Sequence, residues 1–472
     1  MRSSYTAEFN FTKYLEKVVD AETIHYIGRV TAVKGLEIES EGPRSVIGEM
    51  CTIKLSDGSS LLAEVVGLED KTVRLTAFGN TKGIEVGCEV IGSGSVLKVP
   101  VGMSLLGRTV DATGHACDDG PEIVPEKYYP AVADPPDPMT RLPVNRRIQT
   151  GVRSIDSMLT VGMGQRIGIF AGSGVGKSTL LSMIARNTNA DINVIGLIGE
   201  RGREVLDFIN RDLGEEGLKR SVVVVATSDQ PSICRLRAAY VCTAIAEYFR
   251  DQGKDVTLML DSVTRFAQAQ REIGLANGEP PAQKGYPPSV FDMIPKLLER
   301  TGTNDKGTIT AFYTVLVDSD DMNDPIVDKV RGTLDGHIVL DRRLAQAYHY
   351  PAIDVLASIS RLSKRVTGKQ TQRACGFVRT LMANYAERET MITAGIYQKG
   401  NSPEVDLAIE KHAEIEEFLK QEEYERCPIE DTLNKLSALT GIEIPDEEYE
   451  ENAGANNQSV AQIVDDMKKS EE

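Results

Sequence analysis

The octapeptide Gly172-Ser173-Gly174-Val175-Gly176-Lys177-Ser178-Thr179 follows the apolar run Arg166–Ala171 and opens onto a helical pattern. Glycines at this spacing let successive backbone N–H groups turn inward around phosphate oxygens, and the helix N-terminus adds partial positive charge. Lys177 is then placed to reach β- and γ-phosphates, and the Ser178 hydroxyl to hold Mg²⁺. One position departs from the general GxxxxGK[ST] pattern: Ala171 stands where the first glycine is usual. A methyl group is tolerable there if φ stays negative.

Two acidic positions complete the chemistry that a bound ATP would need. Asp261 closes the apolar run Val256–Leu260, so its carboxylate is expected at the carboxyl edge of a sheet, where it would orient a water on the metal. A strand-ending Asp can also simply cap the next helix. Gly199-Glu200-Arg201-Gly202-Arg203-Glu204 follows another apolar run, and Glu200 could polarise an attacking water as a general base. By itself that hexapeptide would serve equally well as a solvated, salt-bridged turn.

The elements that must position these residues are legible as changes of period. Between 22 and 100, His25–Val33, Val46–Leu55, Leu61–Leu68, Thr72–Ala77 and Glu89–Val99 are short β-type runs broken by turn residues, which predicts a small closed sheet. From 150 to 365, the strand-like runs Arg166–Ala171, Asn193–Ile198, Ser221–Ala226, Val256–Asp261 and Thr308–Leu316 alternate with longer amphipathic stretches such as Ile233–Arg250. That alternation predicts a parallel sheet covered by helices, an α/β core. Beyond 370 the chain reads as helical. Asn401-Ser402-Pro403 offers a cap followed by proline, and Val405, Ile409, His412, Ile415 and Leu419 trace one face. Ahead of the barrel, Phe11, Tyr14, Leu15 and Val18 recur at helical spacing, either to pack on the barrel or to dock a partner. The expected segments are 1–21 helical, 22–100 β-barrel, 101–368 nucleotide-binding, 369–444 helical and 445–472 an acidic mobile tail.

Composition narrows the class. A chain of 472 residues with 41% hydrophobic and 26% charged residues is ordinary globular material, too long for one core. The net charge is −17, of which −8 falls in residues 441–472. An acidic body disfavours nucleic acid, which needs a basic face. The seven scattered cysteines and five histidines show no CxxC or HExxH pattern, against a disulfide framework or transition-metal enzyme. With no apolar run long enough to span a bilayer and no secretory leader, a cytoplasmic protein is expected.

Pro351-Ala352-Ile353-Asp354-Val355-Leu356-Ala357-Ser358-Ile359-Ser360 resembles the signature of the α/β subunits of rotary ATPases, and with the phosphate loop the likeness extends over roughly 22–440. Gly278-Glu279-Pro280-Pro281 and Lys284–Arg300 (KGYPPSVFDMIPKLLER) resemble the export ATPases of flagella and of type III secretion injectisomes. The resemblance implies a RecA-like ATPase core between an N-terminal β-barrel and a helical C-terminal domain. It implies that Glu200 is the catalytic carboxylate with Arg201 beside it, that Arg265 lies near the γ-phosphate, and that Glu204 supports the metal side with Ser178 and Asp261. Tyr350 matches the aromatic that stacks on adenine, and Arg361 the finger that reaches the adjacent subunit's site. Ala171 fits this family's version of the loop. The acidic loop of Asp318, Asp320, Asp321 and Asp324 either faces a coiled-coil stalk or is a solvated turn.

Implied partners are copies of the chain in a homohexameric ring, a stalk and regulatory proteins, export chaperones and their substrates, and a membrane export gate. A flagellar role is favoured over an injectisome one. Three alternatives are the catalytic subunit of a rotary ATP synthase, a non-catalytic regulatory subunit, and a ring translocase on nucleic acid. The segment 278–300, Glu200 and the acidic balance count against them in turn.

Overall fold

The computed structural model describes residues 26–317 and 321–454. The expected helix at Phe11–Val18, Asp318 and Asp320, and residues 455–472 lie outside them. The chain divides after Val96 into two compact units.

The first unit is a closed barrel of six strands: β1 (Ile27–Lys34), β2 (Glu37–Glu41), β3 (Glu49–Lys54), β4 (Ser60–Glu69), β5 (Thr72–Ala77) and β6 (Glu89–Val96), in the order β1-β2-β5-β4-β3-β6. Closure leaves no open edge. Val30, Ile38, Ile53, Val65, Leu75 and Val90 fill the interior. β2 escaped the sequence reading because Glu37-Ile38-Glu39-Ser40-Glu41 buries only Ile38 and Ser40, too few apolar residues to mark a strand. The run expected through Val99 ends at Val96, and Lys98–Val101 forms β7, which pairs with β9 (Lys127–Pro130) in the second unit.

The second unit is built on a nine-stranded sheet ordered β17 (Ile353–Ser360), β16 (Gly336–Leu340), β10 (Arg166–Ala171), β15 (Thr308–Leu316), β13 (Asp255–Asp261), β11 (Ile192–Ile198), β12 (Ser221–Ala226) and β8 (Thr109–Val110), with β14 (Gly302–Thr303) paired to β15. Its central strands are β10 (Arg166–Ala171), β11 (Ile192–Ile198), β12 (Ser221–Ala226), β13 (Asp255–Asp261) and β15 (Thr308–Leu316), each within one residue of the run that predicted it. They are parallel and almost wholly buried, as expected of strands covered by helices on both faces. Parallel pairing does not hold at one edge. There β16 (Gly336–Leu340) runs parallel to β10, but β17 (Ile353–Ser360) returns antiparallel to β16. At the other edge β8 (Thr109–Val110) joins β12.

The covering helices that matter for the site are α1 (Lys177–Asn187), α2 (Gly202–Asp207), α3 (Ser232–Asp251) and α4 (Val263–Ala276). The C-terminal helices are α5 (Lys369–Thr393), α6 (Pro403–Leu419) and α7 (Ile429–Thr440), and Ser402 caps α6 as its sequence suggested. Their inner faces (Val378, Ile415, Phe418, Leu433, Leu436) share one apolar core with Ile155, Leu181 and Ile184 of the nucleotide-binding region. Of the expected acidic tail, residues 445–454 are described, and acids there have partners in the fold. Glu448 accepts hydrogen bonds from the Gln370 and Thr371 N–H groups at the start of α5, and Glu451 bonds Asn189 and pairs with Arg146. These contacts give the acids fixed partners that composition alone cannot reveal.

Inside the second unit, Arg300 is fully buried. It donates to both carboxylate oxygens of Glu247, at 2.9 and 2.6 Å, and to the Ala131 carbonyl at 2.6 Å.

Candidate active site

β10 ends at Ala171, which pairs with Leu316 on one side and Leu340 on the other and is 1% exposed. Ala171 is not among the non-glycine residues with positive φ, so its methyl group is accommodated without backbone strain. The loop then turns through Gly174 (φ 77°) and Gly176 (φ 94°), left-handed positions that any side chain would strain. Lys177 is the first residue of α1. The sheet's parallel register brings the other carriers to the same edge. Leu197 pairs with Asp261, so Glu200 and Asp261 emerge on adjacent strands beside the loop.

Three predicted residues are in direct contact. The Lys177 ammonium lies 2.5 Å from Asp261 Oδ1 and 3.5 Å from Glu200 Oε1. Burial works against the lysine charge, but the two carboxylates outweigh it, and its pKa is raised. Thr314, which the sequence did not single out, donates to Asp261 Oδ1 at 2.8 Å. Asp261 is not spent as a helix cap. That work falls to Ser262, whose hydroxyl accepts from the Arg265 N–H. Burial pushes the Glu200 carboxyl above its ordinary value; Lys177 opposes this, and Asp261 and Glu204 add to it.

Ser178, Glu200, Glu204 and Asp261 line one cavity of about 190 Å³ together with Phe208 and Arg211. This donor set suits magnesium: an exposed hydroxyl and carboxylate oxygens are hard ligands on one small space. Among the described residues no three His, Cys, Asp or Glu side chains are close enough together to hold an ion by themselves, so protein atoms would supply part of the shell and leave the rest to waters and phosphate oxygens. On the other side of the loop a cavity of about 1030 Å³ is bounded by Gly174, Gly176, Tyr350, Leu340, Phe418 and Gln421. The Tyr350 ring stands 3.7 Å from where a Gly176 Cβ would be. Phe418 and Gln421 escaped the sequence reading because they belong to α6 and the loop after it, some 240 residues from the phosphate loop; helical periodicity marked that helix only as core.

The remaining predicted residues divide. Arg265 lies across Gly199, where a Cβ would meet its Cγ at 2.8 Å, and its Nε is buried without a hydrogen-bond partner among the described residues. Arg201 is 81% exposed at the N-cap of α2 and forms an ion pair with Glu204 in its first turn at 3.0 Å, so the exposed salt bridge that the hexapeptide's composition allowed is made at a helix start. Arg361 is not brought to the site at all. β17 runs antiparallel to β16, with Ile353 opposite Leu340 and Ser360 opposite Gly336, so Arg361 leaves the sheet at the edge opposite the phosphate loop. Eight residues of strand separate the two edges by roughly 25 Å. In the acidic loop, Asp321 and Asp324 both pair with Lys284, at 3.2 and 3.1 Å, and Asp324 caps the helix Pro325–Thr333.

Comparison with known proteins assigns this architecture. Residues 151–360 match the ATP synthase alpha/beta family, nucleotide-binding domain, residues 30–94 its beta-barrel domain, and residues 367–438 the T3SS EscN ATPase C-terminal domain. The flagellum-specific ATP synthase of Treponema pallidum is 57% identical over 433 residues, which span 92% of this chain and 97% of that one. This chain belongs to the flagellar and type III secretion ATPase family. It is an ATP hydrolase of the protein-export type. Other relatives of this export ATPase are the flagellum-specific ATP synthase of Bacillus subtilis, 54% identical across 88% of this chain and 95% of its own length, and the type 3 secretion system ATPase of Xanthomonas euvesicatoria, 50% identical across 88% and 94%. Among solved structures, the assembled ATPase EscN of enteropathogenic Escherichia coli superposes with a TM-score of 0.84 at 45% identity, covering 88% of this chain and 100% of that one. The export ATPase thus has the barrel, α/β core and helical C-terminal domain of its relatives.

Proposed function

We propose that this chain hydrolyses MgATP at the interfaces of a homohexameric ring in the flagellar export apparatus. The phosphate-loop amides and Lys177 bind and neutralise the triphosphate. Ser178, with Asp261 and Glu204 behind it, would hold Mg²⁺, which when bound would offset phosphate charge. Glu200 accepts the proton of the attacking water. Arg265, held over Gly199, faces the γ-phosphate side, with Arg201 available from solvent, and Tyr350 stacks on adenine. The observation that carries a shared site is the position of Arg361, which cannot reach its own chain's loop and is free to enter a neighbour's. Charge neutralisation by such an arginine is worth about 10³–10⁵ in rate in other nucleotide hydrolases.

Support for the assembly comes from EscN, which has been solved both assembled and in complex with its central stalk EscO. By analogy the ring would take a stalk of its own, and ATP turnover would release chaperones from flagellar substrates and pass those substrates to a membrane gate. Among the described residues no helix is long and apolar enough to cross a membrane. The 57% and 54% identities to flagellar enzymes favour that system over the injectisome.

Glu200→Gln tests the chemistry. It should abolish turnover while nucleotide still binds, as read by ATPase assay and fluorescent-nucleotide titration. Retained hydrolysis would remove Glu200 from the role.

A further inference from the structure

The segment between the helix Arg342–Gln346 and β17 presents two tyrosines outward and one histidine inward. Tyr348 has positive φ (57°) and is 85% exposed, and its ring meets that of Tyr350 edge-on at 5.7 Å. His349, between them, is 3% exposed. Its Nδ1 lies 2.7 Å from Glu416 Oε2, and its backbone N–H donates to the Leu344 carbonyl at 2.9 Å. The Tyr350 carbonyl in turn accepts from the Gln421 N–H at 2.9 Å. Both outside anchors, Glu416 and Gln421, come from α6 and the loop after it, the same stretch that supplies Phe418 to the large cavity. The hydrogen bond from the His349 imidazole also holds the Glu416 carboxyl below its ordinary range.

From this geometry we propose that His349 and Glu416 are a positioning pair: their bond fixes the Tyr350 ring at the base-binding end of the cavity and makes nucleotide affinity depend on where α6 stands. The pair touches no substrate atom. It acts through the backbone, because a ring on residue 350 can be no better placed than the peptide units on either side of it, and one of those is held by residue 349. Exposed Tyr348 offers no such anchor. A bond between α6 and the sheet edge therefore couples the helical domain to the adenine side of the site, while Lys177 and the loop amides, held by β10 and α1, are left alone. The proposal rests on Tyr350 being the adenine-stacking residue.

Steady-state ATPase kinetics of the full chain, combined with inhibition by inorganic tripolyphosphate, separate the possibilities, because tripolyphosphate occupies the phosphate loop without a base. His349→Ala and Glu416→Ala should each raise KM for ATP about three- to tenfold, the scale of one lost hydrogen bond. The change in kcat should be smaller, and the inhibition constant of tripolyphosphate should not move. His349→Asn, whose amide nitrogen can stand near the position of Nδ1, should restore most of the affinity. A merely structural bond would shift both constants together, and that result, or an unchanged KM in both alanine variants, overturns the proposal. Should His349→Ala fail to fold, Glu416→Ala reads the same contact from a partly exposed side chain. Tyr350→Ala is the control. If it leaves KM unchanged, the adenine assignment fails; if it raises KM while His349→Ala and Glu416→Ala do not, only the positioning role fails.

Discussion

Lys177 sits between Asp261 and Glu200, and in that position its charge compensates two carboxylates that would otherwise repel across a small cavity. Phosphate oxygens compete for the same ammonium. Binding of nucleotide would therefore draw Lys177 toward the loop and leave Glu200 to water and Asp261 to the metal side, an exchange built from these three side chains. The pH dependence follows from Glu200. Burial raises its pKa above the ordinary 4.5, and a base works only when ionised, so activity is lost as pH falls through the raised value. The acid limb of kcat/KM should accordingly lie above pH 4.5; a limb at or below that value would show that another group takes the proton. The sequence made Lys177, Ser178 and Asp261 legible because phosphate and metal chemistry demands those types at those spacings. Thr314 was not legible: a threonine inside an apolar strand has no signal until the sheet puts it beside Asp261.

At the scale of elements, β17 does two jobs. Its first residues follow Tyr350 at the large cavity, and its last precede Arg361 at the opposite sheet edge. One strand thus joins a chain's own proposed base pocket to the residue proposed for its neighbour's site, and its antiparallel direction is what separates the two. Strand–helix alternation in the sequence predicted a parallel sheet and could not report this reversal, since hydrophobic period is blind to direction. Arg300 teaches a similar lesson. It lies in a segment that marks the export family, yet in the fold it is a buried partner of Glu247. Glu247→Ala would leave a guanidinium uncompensated in the core and should destabilise the second unit by about 3–5 kcal/mol. Thermal or denaturant unfolding measures this, and a loss below about 1 kcal/mol, the worth of an exposed pair, would mean that water reaches Arg300.

For the whole molecule, the decisive feature is that the proposed catalytic set is divided between sheet edges. Arg361→Ala subunits and Lys177→Ala subunits should each be inactive alone and partly active when mixed, because some interfaces in a mixed ring pair an intact loop with an intact finger. ATPase activity across mixing ratios checks this; strict absence of activity at every ratio would place Arg361 outside the site. Short runs broken by turn residues pointed to the barrel, although not to its β2, and continuous apolar runs revealed the central strands to within a residue, because such runs record burial directly. The phosphate loop was equally plain, since its glycines answer a local backbone requirement at Gly174 and Gly176. What the sequence by itself determined is therefore the kind of chemistry and the kinds of element that carry it. Only the tertiary structure decided that Phe418 and Gln421 border the same cavity as the loop, that Glu448 belongs to the start of α5, and that Arg361 faces away from its own nucleotide site. Those are relations between residues distant in the chain, fixed by strand direction and helix packing, and no local pattern of residue types encodes them.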